Sequence, residues 1–424
     1  MHVLYIHQNF PAQFGHIAAY LQKMQGWRCT FVSEQPSGTV EGIEKVQYKI
    51  KGGATVQTHF CSRTFENAIW HSHAVYEALK ARPGIRPDLI VGHSGFGSTL
   101  FLSELYPQVP IVNLFEFYYH PHGLDSDMDF RPDLGWELED IKYLRARARN
   151  AMLLLDLQNC RAGYAPTQFQ RSRFPAEYQA KLEVIFDGVE RGVYHGFEEK
   201  LRPSRGARPA RKIGGVDVPA EAKLVTYCSR GFESMRGFDK FMEAAAIITA
   251  QEPSAMVLVV GSDKVAYGGD LNYTGGKSFK DWVLERGWHG GKYDLDRIRF
   301  LGQVPPQELA RLLAATDVHI YLTAPFVLSW SMMNALSCGA VVVGSRTTPV
   351  MEMIEDGKTG LLADFFDPAD IAAKALAVLR DIPGHRELGR NAEQMIREKF
   401  SLEAVLPRML KLYEKAMGSG TTGK

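Results

Sequence analysis

Apolar, β-branched runs alternate along the chain with longer stretches whose apolar positions recur every three or four residues. In the first half, His2–His7, Arg28–Ser33, Asp88–His93, Pro110–Phe115 and Ala162–Thr167 read as strands. In the second half, Lys223–Ser229, Ala255–Gly261, Ile298–Val304, Val318–Thr323, Ala340–Ser345 and Gly360–Asp364 do the same. Their apolarity is continuous rather than alternating, as expected of strands covered on both faces of a parallel sheet. Helical spacing fills Gln13–Gly26, Arg236–Gln251 and Pro306–Asp317 between them. This repeated order predicts an α/β chain of two doubly wound layers. The join falls near Val184–Phe197. The Arg-, Pro- and Gly-rich stretch Glu198–Gly215 that follows has no interleaved aromatics, so it reads as a solvated linker before a nucleic-acid patch. The domains expected are residues 1–187, 188–400, and a final segment 401–424. That segment is an amphipathic helix, expected to pack back on the first domain, with a frayed end.

Composition narrows the classes. Apolar residues make up 45% and charged residues 23% of 424 positions, an ordinary globular balance with room for two or three domains. A formal net charge of +1 argues against a chain built mainly to coat nucleic acid or acidic membrane. No run approaches the roughly 18 apolar residues of a membrane span. Met1–Phe10 lacks a basic segment and a cleavage site and reads as a first strand, not a signal peptide. Cys29, Cys61, Cys160, Cys228 and Cys338 are scattered and form no C-x-x-C, which predicts buried free thiols in a reducing cytoplasm.

Candidate chemistry lies where strands end, because open α/β sheets bind ligands at their carboxyl edges. The strand Val318–Thr323 runs through a loop into a helix entered by Ser329, Trp330 and Ser331. Such a helix start offers free N–H groups and the positive end of a dipole, which suit phosphate. Arg230 and Arg236 straddle a second strand–helix junction and could grip a diphosphate, since guanidinium matches phosphate oxygens in a fork. His93 closes the strand Asp88–His93. The neighbouring "GFGST" is no dinucleotide fingerprint and no acid is suitably placed downstream, which makes a dehydrogenase a poor fit. Glu116 follows the strand Pro110–Phe115 as a candidate acceptor contact or base. Asp125, Asp127 and Asp129, with His120 and His122, could form a metal site. A polar loop lining an acceptor pocket is the reading taken. Val260–Trp282, rich in glycine, reads equally as a flap over a nucleotide or as a plain loop.

The order of these segments resembles the retaining GT-B glycosyltransferases of family 4. The telling pieces are "HQNFPAQFGHIA", "PDLIVGHSGFGSTLF", "VIFDGVE", "SRGFESMRGF", "FLGQVPPQELARLLAATDVHIYLT", "PFVLSW" and "ALSCGAVVVGSRTTPVMEMIEDGKTGLL". The chain also looks like a bacterial subgroup with an N-terminal His-Gln-Asn-Phe-Pro loop and a Glu-Phe-Tyr-Tyr segment, here Glu116–Tyr119. The resemblance implies two Rossmann-like doubly wound domains facing across a cleft, with the C-terminal helix crossing back. It implies a nucleotide-diphosphate sugar as co-substrate and no metal or other cofactor. Arg230 and Arg236 would then take the donor diphosphate, and His93 would lie near the transferred sugar. Gln303 and Val304 match the segment that reads the base. Val327, Leu328, Ser329, Trp330 and Ser331 match the amides over the distal phosphate. Asn9, Phe10, Pro11 and Ala12 match the loop between donor and acceptor.

One departure stands out. The family pattern has two glutamates separated by seven residues, the first on the donor sugar's hydroxyls and the second on the ribose. Phe326 and Asn334 occupy those positions here. Asn334 can still hydrogen-bond a hydroxyl through a neutral amide, whereas Phe326 cannot. The expected reaction is glycosyl transfer to the hydroxyl of a glycan, small-molecule or macromolecular acceptor, with retention. The open alternatives are a nucleotide-sugar epimerase, a non-catalytic or partner-dependent member, and a transferase acting on a macromolecule such as a hydroxylated DNA base. A nucleic-acid acceptor is possible but not the favoured one, and the sequence is silent on oligomeric state.

Overall fold

The continuous apolar runs become the central strands of two parallel sheets. The computed structural model describes residues 1–96, 98–123, 130–196 and 210–418. The chain divides into two units: described residues within 1–129, 137–188 and 402–424, and those within 130–136 and 189–401.

In the first unit, β1 (His2–Ile6), β2 (Arg28–Ser33), β3 (Glu44–Gln47), β4 (Leu89–His93), β5 (Ile111–Leu114), β6 (Ala162–Ala165) and β7 (Leu182–Val184) form one sheet. Its order is β3-β2-β1-β4-β5-β6-β7, with every pairing parallel. The β1–β4 boundary is the point where the strand order reverses, so the loops after these two strands diverge and leave a crevice. Tyr5, Phe14, Phe31, Leu89 and Val112 fill one side of the sheet. The C-terminal helix Leu402–Gly418 lays Val405, Leu406, Met409, Leu412, Tyr413 and Ala416 into that same core. Its apolar residues recur at helical spacing, which is why the tail is legible as a packing helix.

In the second unit, β8 (Arg211–Ile213) and β9 (Val216–Val218) make an antiparallel hairpin. Its turn is Gly214–Gly215, both at positive φ (57° and 79°), the backbone a tight hairpin demands. The end of the stretch read as linker is therefore a hairpin, while residues 198–209 lie outside the described residues. The main sheet holds β10 (Lys223–Gly231), β11 (Ala255–Ser262), β12 (Ile298–Gly302), β13 (Val318–Tyr321), β14 (Val341–Ser345) and β15 (Leu361–Ala363). Its order, β12-β11-β10-β13-β14-β15, reverses at β10–β13.

Phe130–Trp136 belongs to the second unit although the chain before and after it belongs to the first. Buried Arg131 bridges to Asp239 (Nη2–Oδ2 2.6 Å) and Asp133 (Nε–Oδ1 2.9 Å). It also donates to the carbonyl of Ser234. Trp136 stacks on Tyr273 at 4.8 Å, and Phe130 meets Phe365 at 4.9 Å. The sequence division at 187/188 did not separate this segment. The cysteine expectation also needs correcting. All five are free thiols, but only Cys29, Cys160 and Cys338 are buried, whereas Cys61 and Cys228 are half-buried.

Candidate functional sites

In the second unit, β10 ends at Arg230–Gly231 and the chain turns through Ser234–Arg236 into the helix Phe238–Gln251. Gly231 is required where it sits, since a Cβ there would lie 2.3 Å from the Lys264 carbonyl. Arg236 is buried. It donates from Nη1 to Thr323 Oγ1 (2.7 Å) and Tyr321 Oη (3.3 Å), and from Nη2 to the Val327 carbonyl (3.1 Å). A guanidinium has five N–H groups. Three bonds are made here, so donors remain for an anion. Arg230 is exposed and has no ion-pair partner among the described residues.

The loop after β13 meets the same arginine. Tyr321 Oη accepts from the Ser329 amide at 2.9 Å, and Ser329 Oγ accepts from the Ser331 amide at 3.2 Å, capping the helix Trp330–Ser337. Two of the five amides expected over phosphate are thus already engaged within the protein. The Val327 and Leu328 amides make no hydrogen bond among the described residues. Trp330 is 41% exposed at the helix start. Asn334 is almost buried, yet its side-chain amide makes no hydrogen bond among the described residues, which invites a polar ligand. Phe326 is buried, edge-on to the half-exposed Tyr267 ring (5.6 Å), and Tyr267 also lies 5.5 Å from the Arg236 guanidinium. Gln303 is exposed after β12, and Val304 packs against the apolar cluster that contains Ile213 and Val218.

Two acids that the sequence did not flag hold this loop system. Glu233 is fully buried, and its Oε2 accepts from the amides of Ala266 and Tyr267, each at 2.9 Å. Asp270 accepts from both the amide and the hydroxyl of Ser234 at 2.7 Å. Burial pushes the Asp270 pKa up to about 6. The Gly-rich segment after β11 is therefore fastened to the Arg236 turn by carboxylates. Only the folded chain brings these partners together.

In the first unit, His7, His93 and Glu116 lie at the carboxyl ends of β1, β4 and β5. His93 Nε2 stands 3.3 Å from Glu116 Oε2, and Gln13 Nε2 donates to Glu116 Oε1 at 2.8 Å. His93 Nδ1 lies 2.8 Å from the Ser94 carbonyl, which can only accept, so Nδ1 carries a proton. The Nε2 contact with Glu116 is then favourable only with a second proton between them. Burial alone would lower the His93 pKa, but the Glu116 carboxylate outweighs it and the net shift is upward. Burial alone would raise that of Glu116, but His93 and Gln13 hold it below the usual carboxylate range. The result is an imidazolium–carboxylate pair. His7 behaves oppositely: burial, then the neighbouring His93, lower its pKa to about 3. Asp156 supports the His93 turn by accepting from Ser94 Oγ (2.9 Å) and the Gly95 amide (3.2 Å).

The loop Asn9–Ala12 adjoins this group. The Asn9 amide donates to His7 Nδ1 at 2.9 Å, the Phe10–Pro11 peptide is cis, and Ala12 has φ 49°. Phe10 packs edge-on to Phe31 at 4.9 Å, so its ring serves the core. The loop's polar reach comes from Gln13. The Asp125, Asp127 and Asp129 cluster lies outside the described residues. Among those described, no group of three His, Cys, Asp or Glu could hold a metal ion, and no helix is long and apolar enough to cross a membrane.

Comparison with known proteins decides the class. Residues 25–193 match the family model of the glycosyl transferase family 4 group, and residues 216–395 match that of glycosyl transferases group 1. Both units are glycosyltransferase domains. The whole chain has the GT-B fold of sucrose-phosphate synthase from Thermosynechococcus elongatus, with TM-score 0.71, 17% identity, and 99% and 100% of the two chains covered. The Anabaena protein HepE, solved with UDP-glucose, superposes with TM-score 0.66 at 16% identity, covering 98% of this chain and 100% of its own. N-acetyl-alpha-D-glucosaminyl L-malate synthase of Bacillus anthracis is 29% identical over 55% of each chain, so the match spans about half of that relative's length. D-inositol 3-phosphate glycosyltransferase of Corynebacterium efficiens is 26% identical over 79% of this chain and 73% of its own. These glycosyltransferase domains therefore carry their polar groups at the sheet edges where the fold places ligands.

Proposed function

We propose that the chain transfers a sugar from a nucleotide-diphosphate sugar to an acceptor hydroxyl, with retention at the anomeric carbon. The observation that carries this reading is the Arg236 turn. A buried guanidinium with unused N–H groups reaches the Val327 carbonyl; among the described residues Arg230, six positions earlier in the chain, has no ion-pair partner, and the Val327 and Leu328 amides make no hydrogen bond. Phosphoryl oxygens complement that set of donors. The complex of HepE with UDP-glucose supports the same reading.

In this scheme the bond between the anomeric carbon and the phosphate oxygen breaks, and its electron pair leaves with the diphosphate. The acceptor oxygen bonds the anomeric carbon on the same face, and its proton passes to the departing phosphate. The developing charge is the barrier. Preorganised donors at Arg230, Arg236 and the helix tip lower it without a side-chain nucleophile. Asn334 would bond a ribose hydroxyl through its side-chain amide. His93 and Glu116 hold sugar or acceptor hydroxyls as a charged pair. With both Glu116 oxygens engaged and its pKa lowered, it is a poor base.

A thermal-shift screen of UDP, GDP, ADP and their sugars tests the reading. One nucleotide series should stabilise the protein, by about 2.7 kcal/mol at a hundredfold excess over Kd. Release of that nucleotide should then depend on an added acceptor. If no nucleotide diphosphate shifts the melting temperature, the proposal fails. Phe326 at the position of a sugar-binding glutamate favours a second reading, a donor-binding protein without turnover. Binding without release under any acceptor would select it.

A further inference from the structure

We propose that a cluster of four cations on the first unit, Arg63, Lys142, Arg145 and Arg149, binds the phosphate or carboxylate group of a small anionic acceptor. Its assignment to an acceptor rests on the transfer reading above, whereas its affinity for anions does not.

Lys142, Arg145 and Arg149 follow at intervals of three and four along the helix Asp140–Ala148, whose conformation continues through Arg149 into the helix Asn150–Asn159. That spacing puts the three on one face. Arg63 opens the helix Arg63–Lys80 and is fixed by bonds from Nε to the Thr58 carbonyl (3.0 Å) and from Nη2 to the Val56 carbonyl (3.1 Å). The Phe60 ring gathers Arg145 at 4.7 Å, Lys142 at 5.1 Å and Arg63 at 5.8 Å. Arg149 lies 3.8 Å above the Tyr119 ring and donates to a Tyr119 hydroxyl at 2.6 Å.

Among the described residues none of the four has an ion-pair partner. Glu66, in the first turn of the Arg63 helix, is occupied by Trp70 Nε1 at 2.9 Å. Glu139 and Asp140 are exposed at the start of the Lys142 helix and make no ion pair with the cluster. Arg145 Nε is buried without a hydrogen-bond partner. Burial, then repulsion from Arg149 and Arg63, hold the Arg145 pKa below the usual arginine value. Elsewhere the chain neutralises such groups, as Arg131 with Asp239 and Arg191 with Glu393. Like charges kept on one helix face cost stability. An anion with forked oxygens would satisfy them.

The position suits an acceptor. Asn150 clamps Tyr119 at both ends of its backbone: Oδ1 accepts from the Tyr119 amide (2.9 Å) and Nδ2 donates to its carbonyl (2.8 Å). Tyr119 is three residues beyond Glu116, within about 10 Å along an extended chain. A compact polyol phosphate or hydroxy acid could present a hydroxyl at Glu116 while its anionic end rests in the cluster.

Calorimetric titration of the full-length protein at fixed ionic strength tests this. Glycerol 3-phosphate, succinate and neutral glycerol are titrated with and without saturating UDP. One of the two anions should bind saturably and glycerol should not, with the tighter probe naming the acceptor's charged group. Arg145→Gln and Arg149→Gln should each weaken that binding at least tenfold, with an unchanged or raised melting temperature in Arg145→Gln, which removes repulsion without removing a side-chain hydrogen bond. Arg147→Gln, on the neighbouring exposed face, should have little effect. Unchanged affinity in both cluster variants, equal weakening by Arg147→Gln, or tighter binding of a short DNA duplex than of either anion would overturn the proposal. Failure of UDP to bind would sink the donor reading instead, because the titration without UDP reads the cluster directly.

Discussion

The two buried histidines at the edge of the first sheet, His7 and His93, illustrate how identical side chains take different protonation states. His93 has a carboxylate at 3.3 Å and keeps an extra proton, whereas His7 has only burial and a charged neighbour and stays neutral. The consequence for stability has a definite sign. The folded-state pKa of His7 is about 3 against an ordinary 6.5, so the unfolded chain binds the proton first. Stability from this residue is complete above about pH 6.5 and is lost as the pH falls from there toward 3. His7→Asn should therefore flatten the acid limb of the melting curve. The difference between parent and variant should change by up to about 1.4 kcal/mol per pH unit between pH 6.5 and 5. Parallel pH profiles of the two proteins would contradict the neutral assignment. His93, Glu116 and Arg236 were legible in the sequence because each closes or follows an apolar run, where open sheets put ligands. His7 ends a strand in the same way, and that signal could have found it. Gln13, Glu233 and Asp270 carry no such mark, since their partners lie tens of residues away or are backbone amides.

Among the elements, the strands with unbroken apolar runs were legible with small boundary errors. β3 and β7 were not, because these short segments carry Glu, Lys and Gln and complete sheet edges that need little burial. The segment Phe130–Trp136 was illegible for another reason. Its anchor is a buried ion pair with Asp239, more than a hundred residues away. Arg131→Ala leaves that carboxylate without its partner and should cost about 3–5 kcal/mol of second-unit stability. The double variant Arg131→Ala/Asp239→Ala should recover part of the loss, as coupled neighbours are non-additive. Chemical denaturation of the parent, both single variants and the double variant would measure this coupling. Simple additivity would mean that the pair does not hold the segment.

For the molecule as a whole, the two-sheet plan and the order of motifs were readable from end to end, while the surroundings of Phe326 were not. Phe326 sits against Tyr267 beside Arg236, an aromatic wall whose partner in space no spacing rule reveals. The central claim is that the Arg236 turn and the neighbouring helix tip hold a diphosphate. Its most direct measurement is calorimetric titration of UDP, UMP and uridine, or the same series for whichever base binds, into the parent and Arg236→Ala. Affinity should rise from nucleoside to diphosphate in the parent, and that increment should be lost in the variant, about 1.5–3 kcal/mol for a charged hydrogen bond. Equal diphosphate affinity in a folded Arg236→Ala protein would contradict it.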